Sequence, residues 1–326
     1  TEDGSRSDLG FSPSPAVWDL VESDGGNCLG RACPDYNRCF YFKARKQTFG
    51  AHLLVVNHAL FFSDLALRRH GASLLPDYKT VIFDEAHTLE DVAADHLGIQ
   101  FGRGGVEHLL NKLHNPRQRR GLLSWFGNED SIRQVELARA AADQFFAAVF
   151  NWTLRQPRPA GRPQPRQAAD SVRVREPGIV ADNLSEELKK LASCVNAVAE
   201  KLEDEQKIEF TAVSGRALLL AEAVRQWLGQ ELPGQVYWVE ASSGRTTRLD
   251  LMSAPIDVGP ALEEHLYSQV PTVVLTSATL STGGKSGFRH MQTRLGLDGC
   301  DALQLGSPFN FRGQVELHLF RSMPDP

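Results

Sequence analysis

The sequence predicts an α/β protein in which a largely parallel sheet is interrupted by a long, mostly helical insertion. Three features lead to that expectation. Thr80-Val81-Ile82-Phe83 and Thr272-Val273-Val274-Leu275 are short, β-branched apolar runs that stop at acidic or hydroxyl residues, as buried strands do. Between about 100 and 234, apolar residues instead recur at three- and four-residue intervals. Strand texture then returns at Val236-Tyr237-Trp238-Val239 and at Leu249 to Met252. Buried strands interleaved with helices point to one parallel-sheet domain with the helical block inserted into it.

Taken in order, residues 1–27 are rich in Ser, Asp, Gly and Pro and read as irregular. Cys28, Cys33 and Cys39 follow, then a short basic helix from Phe40 to Gln47. Leu53 to Val56 reads as a buried strand, and Ala59 to Arg69 as a helix. The strand at 80–83 leads into Asp84-Glu85-Ala86-His87 and a helix over Leu89 to His96. Amphipathic helices are expected over Ser131 to Phe150, Asn183 to Leu202 and Ile208 to Leu228. The arginine- and proline-rich stretch from Arg155 to Pro177 reads as a disordered linker, with an electrostatic arm for phosphates as the alternative.

Composition narrows the function classes. The 326 residues allow two or three domains, and 42% hydrophobic with 23% charged residues are ordinary globular values. A formal charge of −5 exerts no global pull on nucleic acid, so any such contact must come from local basic patches. The apolar runs are too short to span a bilayer, and no secretory leader opens the sequence. Five cysteines, three of them within twelve residues, do not form a secreted disulfide framework. They read as reduced thiols, with the cluster of three reserved for a metal.

Adjacent carboxylates at the carboxyl end of a buried strand sit where doubly wound sheets bind ligands. Phosphoryl transfer to water needs one group to hold Mg²⁺ and another to orient the attacking water, and Asp84 and Glu85 offer both. The alternative is that they only start the next helix, where carboxylates favour the dipole. Thr276-Ser277-Ala278-Thr279 is a hydroxyl-rich strand end, whose Ser277 and Thr279 hydroxyls can hydrogen-bond to the acidic turn from a neighbouring strand. Just beyond it, Thr279 to Ser286 nearly matches a phosphate-binding loop, but Thr279 stands where the opening glycine is needed. Nothing between Thr1 and Thr80 matches such a loop either. Cys28-x₄-Cys33-x₅-Cys39 suits soft-metal chemistry; the absence of C-x-x-C knuckles disfavours zinc, and three uncoordinated thiols remain the alternative.

Val81 to His87 resembles motif II, the DEAH box, of superfamily 2 helicases, and Val273 to Leu280 resembles their motif III. Gly26 to Cys33 with Arg38-Cys39-Phe40 and Lys43-Ala44-Arg45 resembles the cluster domain of the DinG/XPD type. Tyr237 to Glu240, Ala254 to Gly259, Arg294 to Leu297 and Gly306 to Phe311 fit the same pattern in order. The resemblance implies an iron–sulfur domain over 1–47, a RecA-like first helicase domain over 48–100 and 234–312, a helical Arch insertion over 101–233 with 155–177 disordered, and the start of a second helicase domain over 313–326. It implies that Asp84 organises Mg²⁺, that Glu85 positions water, and that His87 links nucleotide state to the Ser277-Ala278-Thr279 coupling motif. Cys28, Cys33 and Cys39 would ligate a 4Fe-4S cluster whose fourth cysteine lies upstream of this chain. Arg31, Arg38, Lys43 and Arg45 would contact DNA.

ATP is the implied substrate, and single-stranded and forked DNA are the implied partners. The expected protein is a monomeric, nucleoid-associated cytoplasmic enzyme with no membrane partner and 5′-to-3′ polarity. The chain itself reads as an internal fragment, inactive alone, that lacks the phosphate loop and the second RecA-like domain. The rival expectation is a non-catalytic metal-cluster module that binds DNA or senses redox state.

Overall fold

A computed structural model describes residues 4–14, 17–18, 28–68, 73–118, 120–157, 170–242, 248–283 and 287–319. Helices α1 (Phe40–Gly50) and α2 (His58–Arg68) precede strand β1 (Thr80–Phe83) and helix α3 (Leu89–Leu97). Strand β2 (Gln100–Gly102) leads into α4 (Arg103–Leu113), α5 (Leu122–Phe126) and α6 (Glu129–Arg155). Strand β3 (Asp170–Val174), helices α7 (Ser185–Ala199) and α8 (Asp204–Gly229), and strands β4 (Gln235–Ser242) and β5 (Arg248–Pro255) follow. A short helix α9 (Gly259–Leu262), strand β6 (Thr272–Leu275) and helix α10 (Arg289–Leu295) come next.

The sheet is not largely parallel. β1 and β6 pair in parallel, Thr80 opposite Thr272 and Phe83 opposite Leu275, as a two-stranded sheet. The strands at 236–239 and 249–252 belong instead to an antiparallel sheet of order β2-β5-β4-β3. Their burial explains the difference. Tyr237, Val239, Leu249, Leu251 and Ser253 are buried while the residues between them are less so, the alternation of a sheet covered on one face. That face packs on the helical block, with which it shares one hydrophobic core. The expected linker over 155–177 is also revised, because Asp170–Val174 pairs with β4 and buries Val174. Residues 158–169 lie outside the described residues.

Leu53 to Val56 is not a strand. Leu53 is 81% and Val55 92% exposed, and among the described residues no strand runs beside them to accept their backbone hydrogen bonds.

The long helices form where the periodicity places them. α6 starts at a capping box, in which Asn128 Oδ1 accepts from the Ser131 N–H and Ser131 Oγ accepts from the Asn128 N–H, both at 2.9 Å. α7 and α8 pack together with Ser214 Oγ donating to the Ala192 carbonyl at 2.9 Å. Trp227 fastens α8 to the antiparallel sheet by donating Nε1–H to the Met252 carbonyl at 2.8 Å.

A second core lies beneath β1 and β6, built from Phe61, Phe62 and Leu65 of α2, Phe83, Leu89 and Ala93, with Val258, Leu262, Leu266 and Leu295. Here α9 meets the end of α10 so closely that a Cβ on Gly296 (φ 68°) would lie 2.8 Å from Gly259 Cα. On the other face of this sheet Ile82 and Val274 are exposed. Among the described residues no helix is long and apolar enough to cross a membrane.

Candidate functional site

Parallel pairing of β1 with β6 brings two turns to one sheet end. Phe83 lies opposite Leu275, so Asp84-Glu85 and Thr276-Ser277 leave their strands side by side. Backbone bonds stitch the exit: Thr276 N–H donates to the Phe83 carbonyl at 2.8 Å, and Ala86 N–H to the Thr276 carbonyl at 2.9 Å. Between these anchors Glu85 takes a left-handed backbone (φ 49°, ψ 42°), which a residue with a side chain rarely adopts. Thr88 holds it there, with its N–H and its hydroxyl both donating to the Glu85 carbonyl at 3.1 Å.

The side chains interlock. Thr276 Oγ1 donates to Asp84 Oδ1 at 3.0 Å, and Ser277 Oγ donates to Glu85 Oε2 at 3.3 Å. His87 Nδ1 lies 2.9 Å from Ser277 Oγ and 3.2 Å from Glu85 Oε2. A proton on Nδ1 satisfies both contacts, since the carboxylate only accepts and the serine hydrogen is already directed at it. Thr279 N–H donates to Ser277 Oγ at 3.3 Å and closes the turn, while Ala278 is exposed. Asp84, Glu85 and His87 all face solvent. The corner is therefore a wet rim with two carboxylates, each held through one oxygen.

The cysteines are arranged differently. Cys33 N–H caps the turn at Gly30–Ala32, and Cys39 stands at the start of α1 with its N–H on the Asp35 carbonyl at 2.9 Å. Cys28, Cys33 and Cys39 are free and half-buried. Among the described residues no group of three His, Cys, Asp or Glu could hold a metal ion. The donors have the right softness for a cluster, but this arrangement does not gather them into a ligand set. An iron–sulfur cube takes four thiolates as a rule, and metal binding itself commonly organises such loops. Neither other cysteine joins them. Burial pushes the Cys194 thiol up, and exposed Cys300 accepts from Gln292 Nε2 at 3.4 Å.

Of the expected DNA contacts, Arg31, Arg38 and Lys43 are exposed. Arg45 is tied down, donating to Tyr41 Oη at 3.1 Å and to the Ser73 carbonyl at 3.3 Å. α1 buries none of its residues, so Phe40 and Tyr41 stay largely open, whereas the Phe42 ring lies 4.4 Å from that of Tyr36. Gly284-Lys285-Ser286 lies outside the described residues.

Residues 23–104 match the DEAD_2 family model. Over 94% of its length the chain is 27% identical to the ATP-dependent DNA helicase YoaA of Escherichia coli K12. It is 24% identical over 97% of its length to the ATP-dependent DNA helicase DinG of Photobacterium profundum, and 27% identical over its full length to the ATP-dependent helicase DinG of Mycobacterium tuberculosis. The family model and these relatives support a similarity to DinG-type helicases. The chain spans about half the length of these relatives, 45%, 48% and 45% of them respectively. The family-model match takes in Cys28, Cys33, Cys39 and the acidic turn but stops before β6, so it is the β1–β6 pairing and the bonds at its end that join the hydroxyl turn to it.

Two contributors to this corner escaped the sequence reading. Thr276 is the direct partner of Asp84, and its place one residue beyond a strand was the available signal. Thr88 grips Glu85 and also lies 3.3 Å from His58 Nδ1, whose ring meets Phe83 edge-on. Asn57 caps the start of α2, its Oδ1 accepting from the Leu60 N–H at 2.8 Å.

Proposed function

We propose that this chain is the central part of an ATP-dependent DNA helicase, contributing the carboxylates and the hydroxyl turn through which ATP hydrolysis is coupled to strand separation. The observation that carries this reading is the single hydrogen-bonded corner of Asp84, Glu85, His87, Thr276 and Ser277 at the shared end of β1 and β6. Two exposed carboxylates are hard oxygen donors that suit Mg²⁺, which when bound neutralises the β- and γ-phosphate oxygens of ATP.

Thr276 fixes one oxygen of Asp84 and leaves the other to hold the metal, directly or through water. Glu85 presents its carboxylate to the attacking water, steadied from behind by Ser277 and His87. Those same two residues tie Glu85 to β6, so a change at the nucleotide reaches the Ser277-Ala278-Thr279 turn. On this reading the helical block is the Arch insertion, and it runs to Pro255 because β4 and β5 share its core. Arg31, Arg38 and Lys43 lie towards DNA, with Cys28, Cys33 and Cys39 as three ligands of a 4Fe-4S cluster completed by a thiolate from outside this chain.

The test is strand displacement by the longer polypeptide that supplies a phosphate loop and a second RecA-like domain. A duplex with a 5′ single-stranded tail is expected to be unwound with ATP and Mg²⁺, and one with only a 3′ tail is not. The present chain alone is expected to turn over ATP at background, since loss of an opposing arginine by itself costs about 10³–10⁵ in rate. Equal unwinding of both duplexes contradicts the polarity, and full turnover by the chain alone contradicts the division of labour.

A further inference from the structure

The helical insertion carries a second surface with the chemistry of nucleic-acid binding, separate from the acidic corner and from α1. Between Glu107 and Glu129 there is no acidic side chain, yet Lys112, Arg117, Arg119 and Arg120 all lie there, in a chain of formal charge −5. The loop between α4 and α5 is a built hairpin. Asn115 and Arg120 form an antiparallel bridge, with Asn115 N–H donating to the Arg120 carbonyl at 2.7 Å. Asn115 Oδ1 accepts from the backbone N–H groups of Arg117 and Gln118 at 3.1 and 3.2 Å. Gly121 (φ 134°) then folds the chain back so tightly that a Cβ there would meet the Leu113 carbonyl oxygen at 2.5 Å.

The helix after this hairpin is anchored on both sides of one residue. Leu123 is buried, Ser124 Oγ lies 3.4 Å from His114 Nδ1, and the Phe126 ring meets Phe210 edge-on at 6.2 Å. Trp125, between them, is 84% exposed. Arg103 of α4 is paired with Glu107 and Asp143, and Arg225 of α8 with Glu222 and Glu231. Arg117 and Arg120 are exposed and join no ion pair among the described residues.

We propose that the 114–126 hairpin is a contact site for single-stranded nucleic acid, with Trp125 stacking on a base and Arg117 and Arg120 meeting the flanking phosphates. An exposed aromatic ring on a helix anchored at its neighbours, in the same hairpin as unpaired guanidinium groups, is the combination such strands require, because every base offers a π-face and every linkage a charge. Duplex bases are already stacked and offer Trp125 nothing. The stretch without acids favours a polyanion over an acidic or apolar protein surface. The inference deepens the helicase reading and rests on it for the choice of DNA, naming where the insertion grips the strand.

The test is equilibrium binding of a fluorescently labelled oligothymidine to this chain across a salt series. Trp125→Ala is expected to weaken binding about tenfold or more, with Trp125→Phe retaining most of it and duplex affinity unmoved. The double variant Arg117→Ala with Arg120→Ala is expected to reduce the slope of log affinity against log salt by about 1.4. Circular dichroism checks that each variant is folded; Trp125 and both arginines are exposed. Wild-type affinity in Trp125→Ala overturns this site alone. Failure of the unmodified chain to bind oligothymidine overturns the site and the DNA part of the helicase reading together. A dimer in sedimentation that Trp125→Ala dissolves assigns the face to a second copy of the chain and also overturns it.

Discussion

Glu85→Gln is expected to lower DNA-stimulated ATP turnover of the longer polypeptide by about 10²–10⁴, the range that a positioned proton acceptor contributes. The substitution keeps size and shape, and the amide oxygen can still accept from Ser277 Oγ and His87 Nδ1 at the positions Glu85 Oε2 now occupies. What disappears is the negative charge and the ability to take a proton from water. The left-handed backbone at position 85, fixed by Thr88 and by the Ala86–Thr276 bond, is untouched. Nucleotide affinity is therefore expected to persist while hydrolysis fails, and a filter-binding measurement beside the turnover assay separates the two. Turnover within a factor of two of the unmodified protein would remove Glu85 from the chemistry.

The largest effect on stability is expected at Asp64, which no motif marks. Its carboxylate is fully buried, accepting from the backbone N–H groups of Leu74 and Leu75 at 2.6 and 2.9 Å and from Arg68 Nε at 2.6 Å. Arg68 spreads from there to the Leu75 and Pro76 carbonyls, both at 2.9 Å, and stacks 4.8 Å over the Tyr78 ring. This network ties α2 to the segment that enters β1, and hence to the acidic corner. Asp64→Ala strips two backbone donors of their acceptor and leaves the Arg68 guanidinium with only the exposed Asp77 carboxylate, 3.1 Å away, as a charge partner. Breaking a buried pair from one side costs about 3–5 kcal/mol, with Arg68's partial exposure favouring the lower end. Urea denaturation followed by circular dichroism measures it. A midpoint equal to that of the unmodified chain would mean water replaces the carboxylate.

What was legible in the residues divides by range. The helices of the insertion were visible because a stripe with helical period is local, and α6, α7 and α8 bury such a stripe. β1 and β6 were visible as well, since each apolar run ends in residues that only a strand terminus accommodates without loss. Pairing partners are not local. Val236-Tyr237-Trp238-Val239 carries no mark that its neighbours are antiparallel, and only the half-buried alternation along β4 shows it in three dimensions. Leu53 to Val56 has strand composition yet forms no strand and leaves Leu53 and Val55 exposed, because composition does not supply the adjacent strand. Thr276 went unnoticed for a related reason: its role depends on the Phe83–Leu275 register, which spans the whole insertion. The three cysteines were easy to find and hard to place, since spacing along a loop does not determine how closely the sulfurs approach.

The central claim is that the acidic turn and the hydroxyl turn work as one unit that converts hydrolysis into strand separation. Its most direct measurement is the number of base pairs unwound per ATP consumed by the Ser277→Ala variant of the longer polypeptide. Removing this hydroxyl deletes the contacts to Glu85, His87 and the Thr279 N–H while leaving both carboxylates in place. The account predicts that ATP consumption largely survives and that unwinding per ATP falls at least about tenfold, equivalent to the loss of some 1.4 kcal/mol of coupling. An unchanged ratio would contradict it.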